Sequence, residues 1–384
     1  MPSGGRLSKD PIAISLLAFA SLILAAGCGS SSPATAPEIP STNSGILPLG
    51  TASSPTALSR CPSGFYAGSS CFQSTVSCPA TAPLLVTYGY RTPPGAVKGT
   101  ILMHDGGGGT TPFDHGPRDG RTFAESFLNA GYRIVQLAWA TDWEDTGLPQ
   151  KNLRVAACRP ATLMKFIYEN VHGGQSASGG MGALGHSGGT GALGYALSWY
   201  GAGSYLDKAM FSSGPVFSDL SKACEVPPKP IEICAAGQFG CTEGGPWTAS
   251  PELGEMHANE MRTYSGIASC SDETHPPTPS ELDALRAMSI VDRDGSVFIN
   301  FPQTAVSAWL CTAFDVPAGP LGALYFAHFT SPSQVAAYSL NPVSDCSGEG
   351  TWNGTHAVHG VPMDAFALMV QDMTDPIVGT VKTH

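Results

Sequence analysis

The sequence predicts an α/β fold with a mainly parallel sheet and helices on both of its faces. Two observations carry this. Short apolar runs alternate with segments of helical period, the βαβα rhythm that builds a parallel sheet. Glycines close the helical runs, at Gly131 after Phe123–Ala130 and at Gly173 after Ala156–Val171, as helix C-termini require. Glycine (46 residues) and proline (32) are abundant, so tight turns are expected throughout.

In chain order, strands are predicted at Leu84–Tyr88, Gly99–Met103, Tyr132–Leu137, Met181–Leu184, Leu206–Phe211, Thr304–Thr312 and Gln334–Leu340. Helices are predicted at Phe123–Ala130, Ala156–Val171, a Gly/Ala-rich run ending at Tyr200, Ser280–Met288, Leu321–Phe329 and Ala365–Met373. Residues 219–296 break the rhythm with four cysteines and many prolines. They read as a cap inserted over the C-terminal edge of the sheet, where it would select substrate.

The chain begins like an exported protein. Arg6 and Lys9 precede an apolar stretch, Ile12–Ala26, that is short for a membrane span. Leu24-Ala25-Ala26-Gly27-Cys28 follows and resembles a bacterial lipoprotein lipobox. That resemblance implies a signal peptide over residues 1–27 and a lipidated Cys28 as mature N-terminus, holding the protein to a membrane of the cell envelope. Plain secretion with cleavage nearby is the alternative. Residues 28–60, rich in Ser, Pro, Thr and Ala, read as a flexible tether, and residues 61–384 as one globular domain.

Without Cys28 the chain holds ten cysteines, an even number suited to an oxidising compartment and to as many as five disulfides. Their spacing groups Cys61, Cys71 and Cys78, and separately Cys224, Cys234, Cys241 and Cys270, as local staples. No Cys or His group has zinc spacing, and Asp292-Arg293-Asp294-Gly295 lacks the rest of a calcium loop, so no metal is assigned. No cofactor is implied. The formal charge of −11, with no basic stripe, argues against nucleic acid as a partner.

Gly185-His186-Ser187-Gly188-Gly189 matches G-x-S-x-G. In so glycine-rich a chain about half a match is expected by chance, so context decides. The match follows a short apolar strand and opens a small-residue helix, the setting in which a sharp turn pushes a serine hydroxyl into a cleft. Here the chain resembles the serine esterases and lipases of the α/β-hydrolase superfamily, from about Val86 to Met373.

The resemblance implies a fold, an order of catalytic residues and a reaction. The nucleophile would be Ser187. His104-Asp105-Gly106-Gly107-Gly108-Gly109 is similar to the superfamily's oxyanion loop, with Asp105 inserted directly after the histidine. Its donors would be the N–H of Gly106 or Gly107, paired with that of Gly188. The acid would follow the penultimate strand, which selects Asp315, with Asp219 and Asp345 as rivals. The base would sit in a small-residue loop before the last helix, which selects His356, with His359 as rival; His328 falls in a predicted helix. The substrate would be a small or polymeric carboxylic ester. Peptidase or acyltransferase chemistry, or a non-catalytic binding protein on the same fold, are the competing readings. Trp139, Asp142 and Trp143 either line the pocket mouth or pack.

Overall fold

The computed structural model describes residues 46–114, 121–149, 151–177, 179–214, 216–217, 220, 231–233, 245–249, 265–267, 277–290, 300–311, 313–315, 333–343 and 365–375. Its centre is a ten-stranded mixed sheet. Strands β1 (Thr51–Ala52), β2 (Thr56–Ala57), β3 (Ser70–Ser77), β4 (Leu84–Arg91), β5 (Gly99–His104), β6 (Arg133–Trp139), β7 (Gly180–His186), β8 (Lys208–Ser212), β11 (Phe301–Cys311) and β13 (Val335–Val343) compose it. The order across the sheet is β1-β3-β4-β6-β5-β7-β8-β11-β13, with β2 also on β3. The β3–β4 and β4–β6 pairings are antiparallel, and every pairing from β6 to β13 is parallel.

Side-chain alternation along the central strands divides the core into two layers. Ile101, Met103, Ile134, Leu184, Met210 and Trp309 face helices α1 (Phe123–Asn129) and α6 (Phe366–Thr374). Leu102, Val135, Ala183, Ala209, Phe211 and Ala308 face α3 (Cys158–Ile167) and α4 (Gly188–Tyr200). Strands covered on both faces need apolar residues at every position, which is why they read as continuous apolar runs. Helix α6 is pinned to the sheet by polar contacts as well: Lys208 Nζ reaches the Asp372 carboxylate, whose other oxygen accepts the Trp309 indole N–H at 3.0 Å.

The predicted helix Ala156–Val171 begins earlier and is broken. Asn152 caps the short helix α2 (Leu153–Ala156) by accepting the Val155 N–H at 3.1 Å. Pro160 has no N–H to return to Ala156, so the path is interrupted at Ala157 before α3 begins. A wide π turn over Tyr168–His172 then ends at Gly173, whose φ of 106° only glycine adopts readily.

Strand β3 was not among the predicted strands. Its Ser, Gln and Thr residues dilute the apolar signal, and only Cys71, Ser74 and Val76 of it are buried. The tether expected over residues 28–60 does not extend to 60. Leu47 is buried and donates its N–H to the Trp199 carbonyl, Gly50 N–H bonds the Thr162 hydroxyl, and β1 and β2 pair with β3. Leu47 and Leu49 give this stretch the apolar surface that a Ser/Pro tether lacks.

Two disulfides join described cysteines, Cys61–Cys71 and Cys78–Cys158. The first is a local staple as expected. The second is not: Cys78 leaves the Cys61/Cys71 group and ties the end of β3 to the start of α3, 80 residues away. Closing so long a loop in the unfolded chain is worth about 2–4 kcal/mol.

Within residues 219–296, β9 (Ile231–Ile233) and β10 (Gly245–Ala249) form a small sheet with β12 (Ala313–Asp315). Helix α5 (Pro279–Met288) matches the predicted one and opens on a capping box between Thr278 and Glu281. It lies on the flank of the domain. The Tyr195 hydroxyl donates to the Met288 carbonyl and the Trp199 indole to that of Ser289. At 1.5 Å per residue, those partners sit roughly 12–18 Å along α4 from Ser187. The rest of the expected cap, and the predicted helix Leu321–Phe329, lie outside the described residues.

Candidate active site

Ser187 stands alone between the last residue of β7 and the first of α4, at φ 50° and ψ −121°. A serine at positive φ is strained, at a cost of about 1–3 kcal/mol. The surroundings hold it there. Its N–H donates to the carbonyl of Ser213 at 2.6 Å and, more weakly, to that of Ser212 at 3.2 Å. Its carbonyl accepts both the N–H of Thr190 (2.9 Å) and the Thr190 hydroxyl (2.6 Å). The loop after β8 is fixed in turn: Ser213 N–H donates to the Trp309 carbonyl, and His186 Nδ1–H to that of Ser212 at 3.0 Å.

The two outer glycines of the motif are required by close approach. A Cβ on Gly185 would stand 2.4 Å from the Gly189 carbonyl oxygen, and one on Gly189 would stand 2.3 Å from that of His104. Strand and helix meet backbone to backbone at this turn. Gly188 is the first residue of α4, so its N–H has no partner within the helix and points from the positive end of the helix dipole.

The glycine loop Gly106–Gly109 passes directly over the serine. A Cβ on Gly106 would lie 2.8 Å from Ser187 Cβ and 3.3 Å from its Oγ. Gly107 follows with φ 53°, and a Cβ built there would meet nothing within 4 Å. The loop closes on itself through Gly109 N–H to the Gly106 carbonyl at 3.0 Å. Below it, Trp143 N–H holds the Gly108 carbonyl and Trp139 N–H that of Gly109. Both tryptophans are buried, so of the two roles open to them packing is the one observed, while Asp142 backs Gly108.

Arg159 anchors this foundation, and nothing in the sequence singled it out. Its buried guanidinium donates to the carbonyls of Trp143, Asp145, Thr146 and Ala82. Burial lowers its pKa, against the opposing pull of Asp145.

His104 is structural. The Trp139 indole, a donor only, lies 3.5 Å from its Nε2, which makes Nε2 the acceptor. Nδ1 then carries the proton and donates to the Asp105 carbonyl at 3.1 Å. Complete burial holds its pKa down at about 4, from an ordinary 6.5, against the raising influence of Asp105. Between those values the unfolded chain binds a proton that the folded one refuses. Stability is therefore lost as pH falls from about 6.5 to about 4, by about 3 kcal/mol from this group alone. Urea melts of wild type and His104→Gln at pH 7 and pH 4 check this. The variant is expected to lose about 3 kcal/mol less between the two; equal losses would reject the assignment.

Gly106, Gly107, Gly188 and Ser187 thus lie together in the structure. Asp315 is the last residue of β12, just beyond the end of β11. In the sheet, Trp309 of β11 is level with Ser212 of β8, and Ser212 with His186 of β7. Asp315 therefore follows β11 where that strand passes the level of Ser187. Its side chain, His356, the rivals Asp219, Asp345 and His359, His328, and Cys28 lie outside what is described.

A strand order with antiparallel pairings at one side, six parallel strands beyond them, and a strained serine between the central strand and its helix define an α/β-hydrolase fold. Some solved structures are similar to it at low identity. The acetyl xylan esterase of a Paenibacillus species is 13% identical, with a TM-score of 0.47 over 86% of this chain and 90% of that one. Acetyl xylan esterase 1 of a Thermoanaerobacterium species is 12% identical, with 0.46 over 83% and 87%. Brefeldin A esterase, a bacterial homologue of human hormone-sensitive lipase, is 12% identical, with 0.42 over 86% and 81%. No protein-family model and no curated protein matches the sequence.

Proposed function

We propose that this chain is a serine hydrolase that cleaves a carboxylic ester. One observation carries the reading: Ser187 is held at φ 50° between strand and helix, with the glycine loop against its hydroxyl. Strain of this kind is kept where surroundings over-determine it, and functional sites are where that happens.

In the proposed reaction His356, oriented by Asp315, takes the Ser187 proton as Oγ attacks the ester carbonyl. The carbonyl oxygen becomes an oxyanion received by the N–H groups of the glycine loop and of Gly188. The tetrahedral adduct collapses, the C–O bond breaks, and the alcohol leaves with the proton from His356. Water, deprotonated by the same histidine, then releases the acid and restores Ser187. The site's own parts are hydrogen-bond donors and a hydroxyl, which is what acyl transfer needs.

Export and lipidation at Cys28 belong to the same proposal. The two disulfides support an oxidising compartment. Cys28→Ala is expected to move the protein from the membrane fraction to the soluble one.

A fluorophosphonate probe tests the catalytic reading. Labelling of the folded protein at Ser187, together with turnover of p-nitrophenyl esters, is the expected result. A folded chain that neither reacts nor turns over would be a binding protein, and the proposal would fall.

A further inference from the structure

Asp105 stands between His104 and the glycine run Gly106–Gly109, whose sequence resembles the superfamily's oxyanion loop, and the residue is buried, at 8% exposure. Oδ1 accepts the N–H of Gly106 at 2.8 Å, and Oδ2 accepts the Thr111 hydroxyl at 2.6 Å. Gly106 is the residue whose α-carbon lies against Ser187. One carboxylate thus ties the point of the loop nearest the nucleophile to the point where the loop turns away.

The bond also decides which amide remains. With the Gly106 N–H committed to Asp105 and the Gly106 carbonyl to Gly109, Gly106 has no donor left for substrate. Gly107 is exposed and open above its α-carbon, and among the described residues its N–H donates to nothing. A Cβ on Gly188 would stand 3.1 Å from the Gly107 nitrogen, so the two amides are neighbours.

We infer that Asp105 is a positioning residue: it clamps Gly106, so that the oxyanion is received by the Gly107 and Gly188 N–H groups. The inference rests on Ser187 being the nucleophile. The alternative for the same bond is a carboxylate occupying a donor that the oxyanion needs, which would make Asp105 inhibitory. The two readings predict opposite changes in rate.

The test compares wild type, Asp105→Ala, Asp105→Asn, Thr111→Val and Ser187→Ala on a p-nitrophenyl ester. Hydrogen exchange of the peptide covering residues 104–112 is followed in each. Asp105→Ala is expected to lower kcat by about tenfold or more with KM within about twofold, because a displaced donor loses oxyanion stabilisation and little ground-state binding. Asp105→Asn is expected to recover most of kcat. Its amide oxygen still accepts from Gly106, and the Thr111 hydroxyl can turn to accept from its amide nitrogen. Exchange of the loop should rise in Asp105→Ala and not in Asp105→Asn. Should Asp105→Ala not fold, exposed Thr111→Val carries the same test, with a loss of about threefold or more. A kcat at or above wild type in Asp105→Ala, or in Thr111→Val where that variant stands in, overturns the inference alone. Activity unchanged in Ser187→Ala overturns the nucleophile itself, and this role with it.

Discussion

Alanine at position 187 is expected to lower kcat by roughly 10⁴- to 10⁶-fold, the loss seen when a hydrolase's nucleophile is removed. The fold should survive. Ser187 owes its position to backbone bonds, its N–H to the Ser212 and Ser213 carbonyls and its carbonyl to Thr190, and alanine keeps all of them. It also keeps the strain, because the Cβ is what makes φ 50° unfavourable. Glycine at the same position separates strain from chemistry. It relieves about 1–3 kcal/mol in the native state. It gives back up to about 1 kcal/mol through the freer unfolded chain. Ser187→Gly is therefore expected to be as inactive as Ser187→Ala and about 1 kcal/mol more stable in urea melts. A glycine variant less stable than the alanine variant would show that the bend stores no strain, and the observation that carries the proposed function would go.

The sheet was legible because its central strands must be apolar on both faces, so Gly99–Met103 and Tyr132–Leu137 carry the pattern without tertiary information. Strand β3 was not, because it pairs near the sheet's margin and shares its polar residues with solvent. The Cys78–Cys158 pairing went with it, since its geometry exists only once β3 ends beside α3. The elbow was legible for a steric reason. Gly185 sits where its backbone meets that of Gly189, and this constraint acts within five residues. The foundation of the glycine loop was hidden because it is assembled from a distance. Trp139 and Trp143 hold the loop from the end of β6, and Arg159 holds Trp143 from α3. A tryptophan in sequence does not say whether it lines a pocket or packs. Asp105 was visible as a departure from a pattern, but its work depends on a hydroxyl six residues on, folded back to meet it.

Two alanines placed at neighbouring glycines of the elbow should have opposite consequences, because different things stand in their way. A Cβ on Gly188 would come within 2.1 Å of the Gly107 carbonyl oxygen. Gly107 is exposed, so the loop is the side that must give way. Retreat moves the loop's donor away from the oxyanion, and loss of one such donor costs about 10²–10³ in kcat. Gly188→Ala is therefore expected to lose about 10²-fold or more in kcat and less stability than Gly185→Ala. On Gly185 the obstacle is the Gly189 carbonyl at 2.4 Å, in a helix seated on a sheet that is buried on both faces. Neither side can move without lifting α4 from β7, so Gly185→Ala is expected to lose roughly 3 kcal/mol of stability. That is a large part of the 5–15 kcal/mol by which domains of this kind are stable. Urea melts and ester turnover of the two variants, side by side, check the contrast. A Gly188→Ala protein with wild-type kcat would mean that the amides of residues 107 and 188 do not receive the oxyanion. The glycine loop would then have to be read as a turn and nothing more.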